Sequence, residues 1–394
     1  MDRQNVSQTL MDQVIQWRRH FHRNPELSYQ EFNTSNYVFD TLKTFGSLEI
    51  SRPTKTSVIA RLIGAYPGKT LALRADMDAL PIKEEANVPF SSNNPGVMHA
   101  CGHDCHTAML LGAAKVLTEY RHQLHGEIRF IFQHAEEMFP GGAKELVAAG
   151  AMEGVDQIIG LHVFTMIPAG KIGICTGHFT ANSDTFDLTV IGKGGHSSQP
   201  QDTIDPIAIG SQIVTNLQHI IARNINPKDQ AVVGVTEFQA GTAKNIVPDT
   251  ITIGGSIRSF SQEVRLQASR LIEQIISGLT IAHNATYEYE YTFGYSSVFN
   301  DAVLTQKIEE IIMDEFGPDY LLHVDPFMGG EDFSAYLQEV PGCFIGIGAA
   351  HSDESLNFPH HHPRFSIDET SLEIGVNLLI AASLKLLAEP VKMA

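Results

Sequence analysis

One short segment of the chain concentrates side chains that bind metals. It reads His99-Ala100-Cys101-Gly102-His103-Asp104-Cys105-His106 and lies between a loop containing glycine and proline and the start of an apolar helix. Thiolate and imidazole suit zinc and also accommodate manganese, cobalt or nickel. Cys101 and His103 are two residues apart, so both can face one site. Asp104 and His106 are better suited to orient an imidazole from behind.

A second candidate group is the pair Glu136 and Glu137, which follows the apolar run EIRFIFQ. Adjacent carboxylates at the end of a buried strand repel each other unless a cation lies nearby. One glutamate can then bind the cation, while the other stays free as general base toward a water molecule that the cation activates. For the pair alone, the alternative is two solvated carboxylates that open a helix.

Three more positions carry side chains of the same kind. His162 ends the apolar run DQIIGLHVF, a triple histidine occupies positions 360–362, and Asp78 follows the run TLALRAD. Taken singly, these are more simply a satisfied core histidine, a solvated loop and ordinary turn chemistry. A site for two metals needs ligands from several strand ends, so their joint occurrence favours the metal interpretation, with Asp78 orienting a ligating imidazole.

The middle of the chain contributes a glycine-rich segment, Gly192-Lys193-Gly194-Gly195-His196, at the end of a predicted strand. Glycines allow the backbone to approach another group closely. An imidazole presented in this way can stabilise an oxyanion. Taken alone, such a segment is more often a turn with a surface histidine, so the oxyanion role of His196 is a hypothesis.

The elements that position these residues follow from the apolar pattern. In the first half of the chain, continuous apolar runs of strand length alternate with helices, which is typical of a largely parallel sheet. Between about 184 and 293 the order becomes β-α-β-β-α-β, the split pattern of a ferredoxin-like domain. Candidate site residues lie on both sides of that segment. We therefore predict an α/β protein with a mostly parallel-sheet catalytic domain, 1–183 and 294–394, interrupted by a ferredoxin-like domain, 184–293.

Composition limits the classes of function. The 394 residues include 43% apolar and 18% charged residues, and the formal net charge is −18. So acidic a chain, without a basic run, is a poor partner for nucleic acid or an anionic membrane. Its apolar stretches are too short to span a bilayer, and its start has no secretory signal. Four cysteines do not make a disulfide framework, so we expect a cytoplasmic protein.

Taken together, the motifs resemble the aminoacylase-type dinuclear metallopeptidase family. The similarity is greatest to its branch of hippurate hydrolase, N-acetyldiaminopimelate deacetylase and the plant auxin-conjugate amidohydrolases, and it extends over nearly the whole chain. The motifs are MHACGHDCH, QHAEE, GLHV, GKGGHS, AKNIVPD and GGEDFS, together with the opening RRHFHRNPELSYQEF. The resemblance implies hydrolysis of N-acyl amino acids, a lid or dimerisation domain inserted into the catalytic domain, and a homodimer or higher homo-oligomer.

The resemblance also implies a metal centre of two divalent cations per subunit, Mn²⁺ or Zn²⁺ first, with Co²⁺ or Ni²⁺ as alternatives. The implied metal ligands are Cys101, His103, Glu137, His162 and His361. Cys101 would bridge the two ions. Within the triple histidine, the resemblance favours His361 over its two neighbours.

The remaining implied roles concern proton transfer and substrate binding. Glu136 would be the general base, and Asp78 would support the metal centre. His196, Asn245 and Arg258 would belong to the lid. In the family that the chain resembles, the histidine matching His196 often reaches the active site of the partner subunit. Arg258 is suited to bind the carboxylate of the substrate.

Two other functions stay open from the sequence. A dipeptidase or aminopeptidase would use the same metals, but the free amine of its substrate would require an acidic partner. A non-catalytic metal-binding protein would hold a structural site, which is usually closed by four protein ligands. Five candidate ligands and a spare carboxylate favour an open, catalytic site.

Overall fold

The computed structural model describes residues 6–388. Its α-helices within that range are α1 (Gln8–Arg23), α2 (Phe32–Lys43), α3 (His103–Glu119), α4 (Gly142–Ala148), α5 (Pro206–His219), α6 (Gln262–Ala282), α7 (Ala302–Glu315), α8 (Ser334–Leu337) and α9 (Ser371–Leu387). Among these described residues, no helix combines the length and the apolar character needed to cross a bilayer.

The strands follow the same order along the chain. They are β1 (Glu49–Ser51), β2 (Val58–Ile63), β3 (Tyr66–Asp76), β4 (His125–Gln133), β5 (Gln157–Pro168), β6 (Ile172–Ile174), β7 (Gly177–His178), β8 (Asn182–Ile191), β9 (Gly195–His196), β10 (Ala231–Ala240), β11 (Ile246–Val247), β12 (Thr250–Ser259), β13 (Thr286–Tyr295), β14 (Phe299–Asn300), β15 (Leu321–His323) and β16 (Gly342–Ala350).

The chain divides into two compact units. The large unit comprises the described residues up to Phe179, Val298–Asp325 and those from Asp332 onward, and the small unit comprises Thr180–Ser297 and Pro326–Glu331. The segment of the small unit thus interrupts the sequence of the large one.

An eight-stranded sheet forms the centre of the large unit, with strand order β1-β2-β4-β3-β5-β16-β6-β15. The four central strands, β4-β3-β5-β16, run parallel to one another. Their apolar residues are buried on both faces, which explains the continuous apolar runs in the sequence. The pairs β1–β2, β2–β4 and β16–β6 are antiparallel, so the predicted α/β class is confirmed with a mixed rather than uniformly parallel sheet.

The small unit has the βαββαβ order that the sequence predicts. Its antiparallel sheet has strand order β10-β12-β8-β13, and α5 and α6 pack against it. Alternation along β8 places Phe186, Leu188 and Val190 in the core beneath the helices, as expected for a half-buried strand. The ferredoxin-like pattern is therefore confirmed.

Helix α3 is buried along most of its length in the large unit and begins at His103. Gly112 lies where α3 approaches α1 and α9: a methyl group added there would be 2.7 Å from Val14 Cγ2 and 3.1 Å from Val376 Cγ2. Both valines are fully buried, and their β-branched side chains have little rotational freedom. The glycine therefore permits the close packing that fixes α3 and its first residue.

We predict that Gly112→Ala lowers the free energy of unfolding by about 1–3 kcal/mol, because the new methyl group overpacks this contact. Gly278 in α6 is the matched control, since it is exposed and, apart from its own stretch of helix, no described part of the chain lies within 4 Å of the corresponding methyl position. Gly278→Ala is expected to raise the free energy of unfolding by about 0.5–1 kcal/mol, because alanine favours the helix. Urea denaturation measures both; stabilisation by both substitutions would contradict the packing described.

Candidate metal centre

The candidate ligands lie where the four central strands of the large unit end. Parallel strands direct their carboxyl ends to one edge of a sheet, which is where α/β proteins bind their ligands. From strand to strand along that edge, the chain supplies Glu136 and Glu137 after β4, Asp76 and Asp78 at the end of β3, His162 within β5, and His361 in the loop after β16.

The metal-ligand segment crosses this edge in a tight turn. Gly102 has a φ of 89°, in the left-handed region, and a methyl group on it would lie 2.3 Å from Val163 Cγ2. A residue with a side chain would therefore disturb both the turn and its contact with β5. The glycine brings Cys101 close to His162, whose Nε2 lies 3.5 Å from the Cys101 Sγ atom.

All five predicted ligands come together at this edge. Their ligand atoms form two groups of three, and within each group the atoms lie within 4.8 Å of one another. One group is Cys101, His103 and His162; the other is Cys101, Glu137 and His361. Both groups contain the Cys101 sulfur, an arrangement suited to two ions that share one thiolate.

Two of the imidazoles are oriented by their second ring nitrogen. His103 Nδ1 lies 2.9 Å from the backbone oxygen of Asp78 and 3.2 Å from its Oδ1, so Nδ1 carries the proton. Among the residues that the structure describes, the buried His103 Nε2 has no hydrogen-bond partner. In His162, Nδ1 donates to the backbone oxygen of Val163 at 2.8 Å, which leaves Nε2 toward Cys101. A buried nitrogen without a partner costs about 1–3 kcal/mol, and coordination to a metal would remove that cost.

Negative charge predominates around these ligands. Burial, followed by the carboxylates of Glu137 and Glu136, holds the pKa of the Cys101 thiol well above its usual range. Burial alone would lower the pKa of His103, yet the carboxylates of Asp76, Asp78 and Glu137 raise it to about 10. A divalent cation here would instead favour thiolate and neutral imidazole, the forms that ligate. The donor set therefore fits a cationic group.

Asp78 connects several parts of the centre. Besides contacting His103, it accepts hydrogen bonds through Oδ2 from Ser28 Oγ at 2.7 Å and from the backbone N–H of Glu137 at 3.0 Å. The orienting role of Asp78 stays a prediction. Glu136 is nearly buried, with Oε2 4.0 Å from His103 Nε2.

His106 orients the site without being available to a metal. Its Nδ1 donates to Asp76 Oδ1 at 2.6 Å, and its Nε2 accepts the backbone N–H of Val163 at 2.9 Å. Both ring nitrogens are thus occupied, and the imidazole ties the end of β3 to β5 beside His162.

Asp104 faces away from the ligands, toward α1. It accepts hydrogen bonds from Arg18 Nε at 2.8 Å and His22 Nδ1 at 2.9 Å. The imidazole that it orients is therefore His22, which is not a candidate ligand. The Asp104 carboxylate instead holds α1 against the first turn of α3.

Arg74 and Asp332 belong to the site, but sequence reasoning assigned them no role. Arg74 is buried and pairs with Asp76 at 2.7 Å and with Asp332 at 2.8 Å, and Gln133 donates to both Asp332 oxygens. This network fixes Asp76 behind the histidines. A charged residue inside the apolar run TLALRAD was the available signal, because such a residue needs a buried partner.

Within the triple histidine, the three imidazoles have different surroundings. His361 Nε2 lies 3.2 Å from Glu137 Oε1, whereas His362 Nδ1 accepts the backbone N–H of Arg364. The His360 ring packs against His162, with ring centroids 5.3 Å apart.

The remaining predicted site residues belong to the small unit. His196 lies in β9, opposite Ile246 of β11, and its Nδ1 contacts Ser198 Oγ at 2.8 Å. Asn245 immediately precedes β11, so both residues lie on one exposed two-stranded ribbon. Arg258 lies instead in β12, half-buried, where burial lowers the pKa of its guanidinium. The roles of these three residues stay predictions.

Comparison with known proteins places this geometry in a family. Residues 72–385 match the peptidase family M20/M25/M40. The chain is 55% identical over 287 residues to an N-acyl-L-amino acid amidohydrolase of Geobacillus stearothermophilus, covering 73% of this chain and 78% of that protein. It is 40% identical to thermostable carboxypeptidase 2 of Saccharolobus solfataricus, covering 94% of each.

A solved structure shows the same fold. A Bacillus subtilis protein described as a dinuclear metal binding peptidase of the M20 family superposes with a TM-score of 0.83 at 35% identity, covering 97% of this chain and 99% of that one. The resemblance predicted from the sequence motifs is confirmed. This chain belongs to peptidase family M20/M25/M40.

Proposed function

We propose that the protein is a metal-dependent amidohydrolase that cleaves N-acyl amino acids into a carboxylate and a free amino acid. The observation that carries the proposal is the pair of ligand groups that share the Cys101 sulfur. Glu136 also lies within ligand distance of His103 and Glu137, but neither of the two groups includes it. The N-acyl-L-amino acid amidohydrolase from Geobacillus stearothermophilus supports the substrate class.

The ligand groups are proposed to hold two divalent cations per subunit, Mn²⁺ or Zn²⁺ first and Co²⁺ or Ni²⁺ as alternatives. The residues that would hold them are Cys101, His103, Glu137, His162 and His361. When bound, such ions lower the pKa of a water molecule to about 7 and polarise a carbonyl oxygen.

The chain itself supplies proton transfer and orientation. Glu136 accepts a proton from the attacking water and then delivers it to the nitrogen of the leaving amine. Its nearly buried position limits exchange of that proton with bulk solvent. Asp78 keeps the His103 ring in the tautomer whose Nε2 is free to ligate, and it also binds the backbone N–H of Glu137.

Residues 184–293 are proposed to form a lid and dimerisation domain of a cytoplasmic homo-oligomer. His196 would stabilise the oxyanion that forms when the acyl carbon is attacked. Asn245 and Arg258 would bind the amino-acid half of the substrate, where Arg258 can pair with its carboxylate. Both ribbon residues, His196 and Asn245, are exposed and therefore accessible to a substrate.

We predict that Glu136→Gln lowers kcat by about 10²–10⁴-fold, because the amide cannot accept the proton. Metal content is expected to stay at the wild-type value, since Glu136 is not assigned as a ligand. Initial rates with N-acetyl amino acids and elemental analysis measure the two quantities. Glu119→Gln, at an exposed position in α3, is the control. Wild-type kcat in the Glu136 variant would refute its role.

A peptidase is the second candidate, because a carboxypeptidase is among the 40% identical relatives. N-acetyl-L-methionine and glycyl-L-methionine share the amine half and differ only in a free ammonium on the acyl side. We expect kcat/KM to be at least about 10-fold higher for the acetyl substrate, because no acidic partner for that ammonium is assigned among the site residues. The opposite preference would make the protein a peptidase, and no turnover of either would favour a metal-binding protein.

A further inference from the structure

Ala135, the residue immediately before Glu136, has an unusual backbone conformation. Its φ is +50°, in the left-handed region that residues with a Cβ atom rarely adopt. Such a conformation persists only where the surroundings impose it. Whatever imposes it also sets the direction in which the chain enters the Glu136-Glu137 pair.

The group that contacts this residue is a buried carboxylate from the start of α2. Glu31 Oε1 accepts the backbone N–H of Ala135 at 2.8 Å and that of Tyr29 at 2.9 Å. Tyr29 is also left-handed, with a φ of +65°. Glu31 Oε2 accepts the hydroxyl of Thr56 at 2.9 Å. One fully buried side chain therefore binds the N–H groups of two left-handed residues.

Contacts from other residues also hold the turn at Ala135 in place. The Ala135 oxygen accepts the N–H of Gly142 at 2.9 Å. The rings of Tyr29 and His134 meet edge to face, with centroids 5.5 Å apart. Beyond Glu136, the N–H of Glu137 is held by Asp78. Glu136 is thus flanked by two peptide N–H groups, each bound to a different buried carboxylate.

We propose that Glu31 is a positioning residue for the general base: by holding Ala135 in the left-handed conformation, it aims Glu136 at the reacting atoms. The inference rests on the proposed function, since it takes Glu136 as the base. Within the described residues, the Glu31 side chain accepts hydrogen bonds from Tyr29, Thr56 and Ala135, so its effect on Glu136 passes through the backbone of Ala135.

Substitutions at Glu31 can separate its hydrogen bonding from its charge. Glutamine retains one carbonyl oxygen for the N–H groups of Tyr29 and Ala135, and its amide can donate to the Thr56 hydroxyl. Burial, and after it the nearby Asp78, raises the pKa of Glu31 to about 7, so an uncharged isostere suits the position. Alanine removes the acceptor altogether.

The test combines these variants with glycine at position 135, because glycine adopts a positive φ without the help of an acceptor. We expect Glu31→Ala to lower kcat for an N-acetyl amino acid by about 10- to 100-fold with a much smaller change in KM. Glu31→Gln should stay within about 3-fold of wild type, since the acceptor is retained. Adding Ala135→Gly to Glu31→Ala should restore kcat at least about 5-fold.

Ser47→Gly is the matched control for the second substitution. Ser47 has a φ of +59° and is exposed, so its replacement relieves the same kind of backbone strain away from the site. Combined with Glu31→Ala, it should leave kcat at the level of the single variant. Equal kcat in the two double variants, or wild-type kcat in Glu31→Ala, would overturn the proposal.

A second measurement does not depend on turnover. The urea midpoint of the full-length protein should fall in Glu31→Ala and rise again when Ala135→Gly is added, more than the same glycine raises it in the wild-type background. Equal effects of Ala135→Gly in the two backgrounds would show that Glu31 does not hold this residue. Because the midpoint requires no substrate, failure of the proposed function leaves this test valid.

Discussion

At one edge of its central sheet, the large unit buries more negative charge than a protein interior usually holds without a cation. Four carboxylates, of Asp76, Asp78, Glu136 and Glu137, lie among imidazoles and a thiol, almost all shielded from water. Burying ionised groups is costly unless they are paired. Arg74 compensates Asp76, and His103 Nδ1 donates to Asp78, whereas Glu137 faces imidazoles, with His361 Nε2 at 3.2 Å and His103 Nε2 at 3.9 Å from its Oε1. The proposed pair of divalent cations would supply positive charge at this ligand face.

Hydrogen bonds and ion pairs around the candidate ligands fix the orientation of their side chains. The network of Arg74, Asp76 and Asp332 lies behind His106, and His106 in turn binds the backbone of β5 next to His162. Asp78 performs the same task for His103 and the Glu137 backbone. The positions of His103, His162 and Glu137 are therefore set by groups outside the five proposed ligands. Precise placement of this kind is what separates a catalytic centre from a set of binding side chains.

Much of this site could be predicted because its candidate ligands lie in short segments with a recognisable pattern. The segment around Cys101 and His103 is dense in ligands, and His162 and the Glu136-Glu137 pair end apolar runs, so strand ends and chemistry coincide. The βαββαβ order was likewise visible in alternating and helical periodicity. The direction of the strands at the sheet edges could not be predicted, because periodicity indicates which residues are buried and not which way a strand runs.

The residues that sequence reasoning missed act over long separations. Arg74 meets Asp332 across 258 positions, and Glu31 meets Ala135 across 104. Nothing in the periodicity of either segment indicates its partner, and the left-handed backbone of Ala135 has no sequence signal, since the residue there is not glycine. A charged residue within a buried apolar run indicates that it has a partner, but it does not indicate where in the sequence that partner lies.

The central claim is that two cations share the thiolate of Cys101. A crystal structure of the manganese-loaded protein, with anomalous data collected at the manganese edge, tests it most directly. Two anomalous peaks are predicted, both at bonding distance from Cys101 Sγ, one also bound by His103 and His162 and the other by Glu137 and His361. A single peak enclosed by four protein ligands, or peaks remote from Cys101, would contradict the claim.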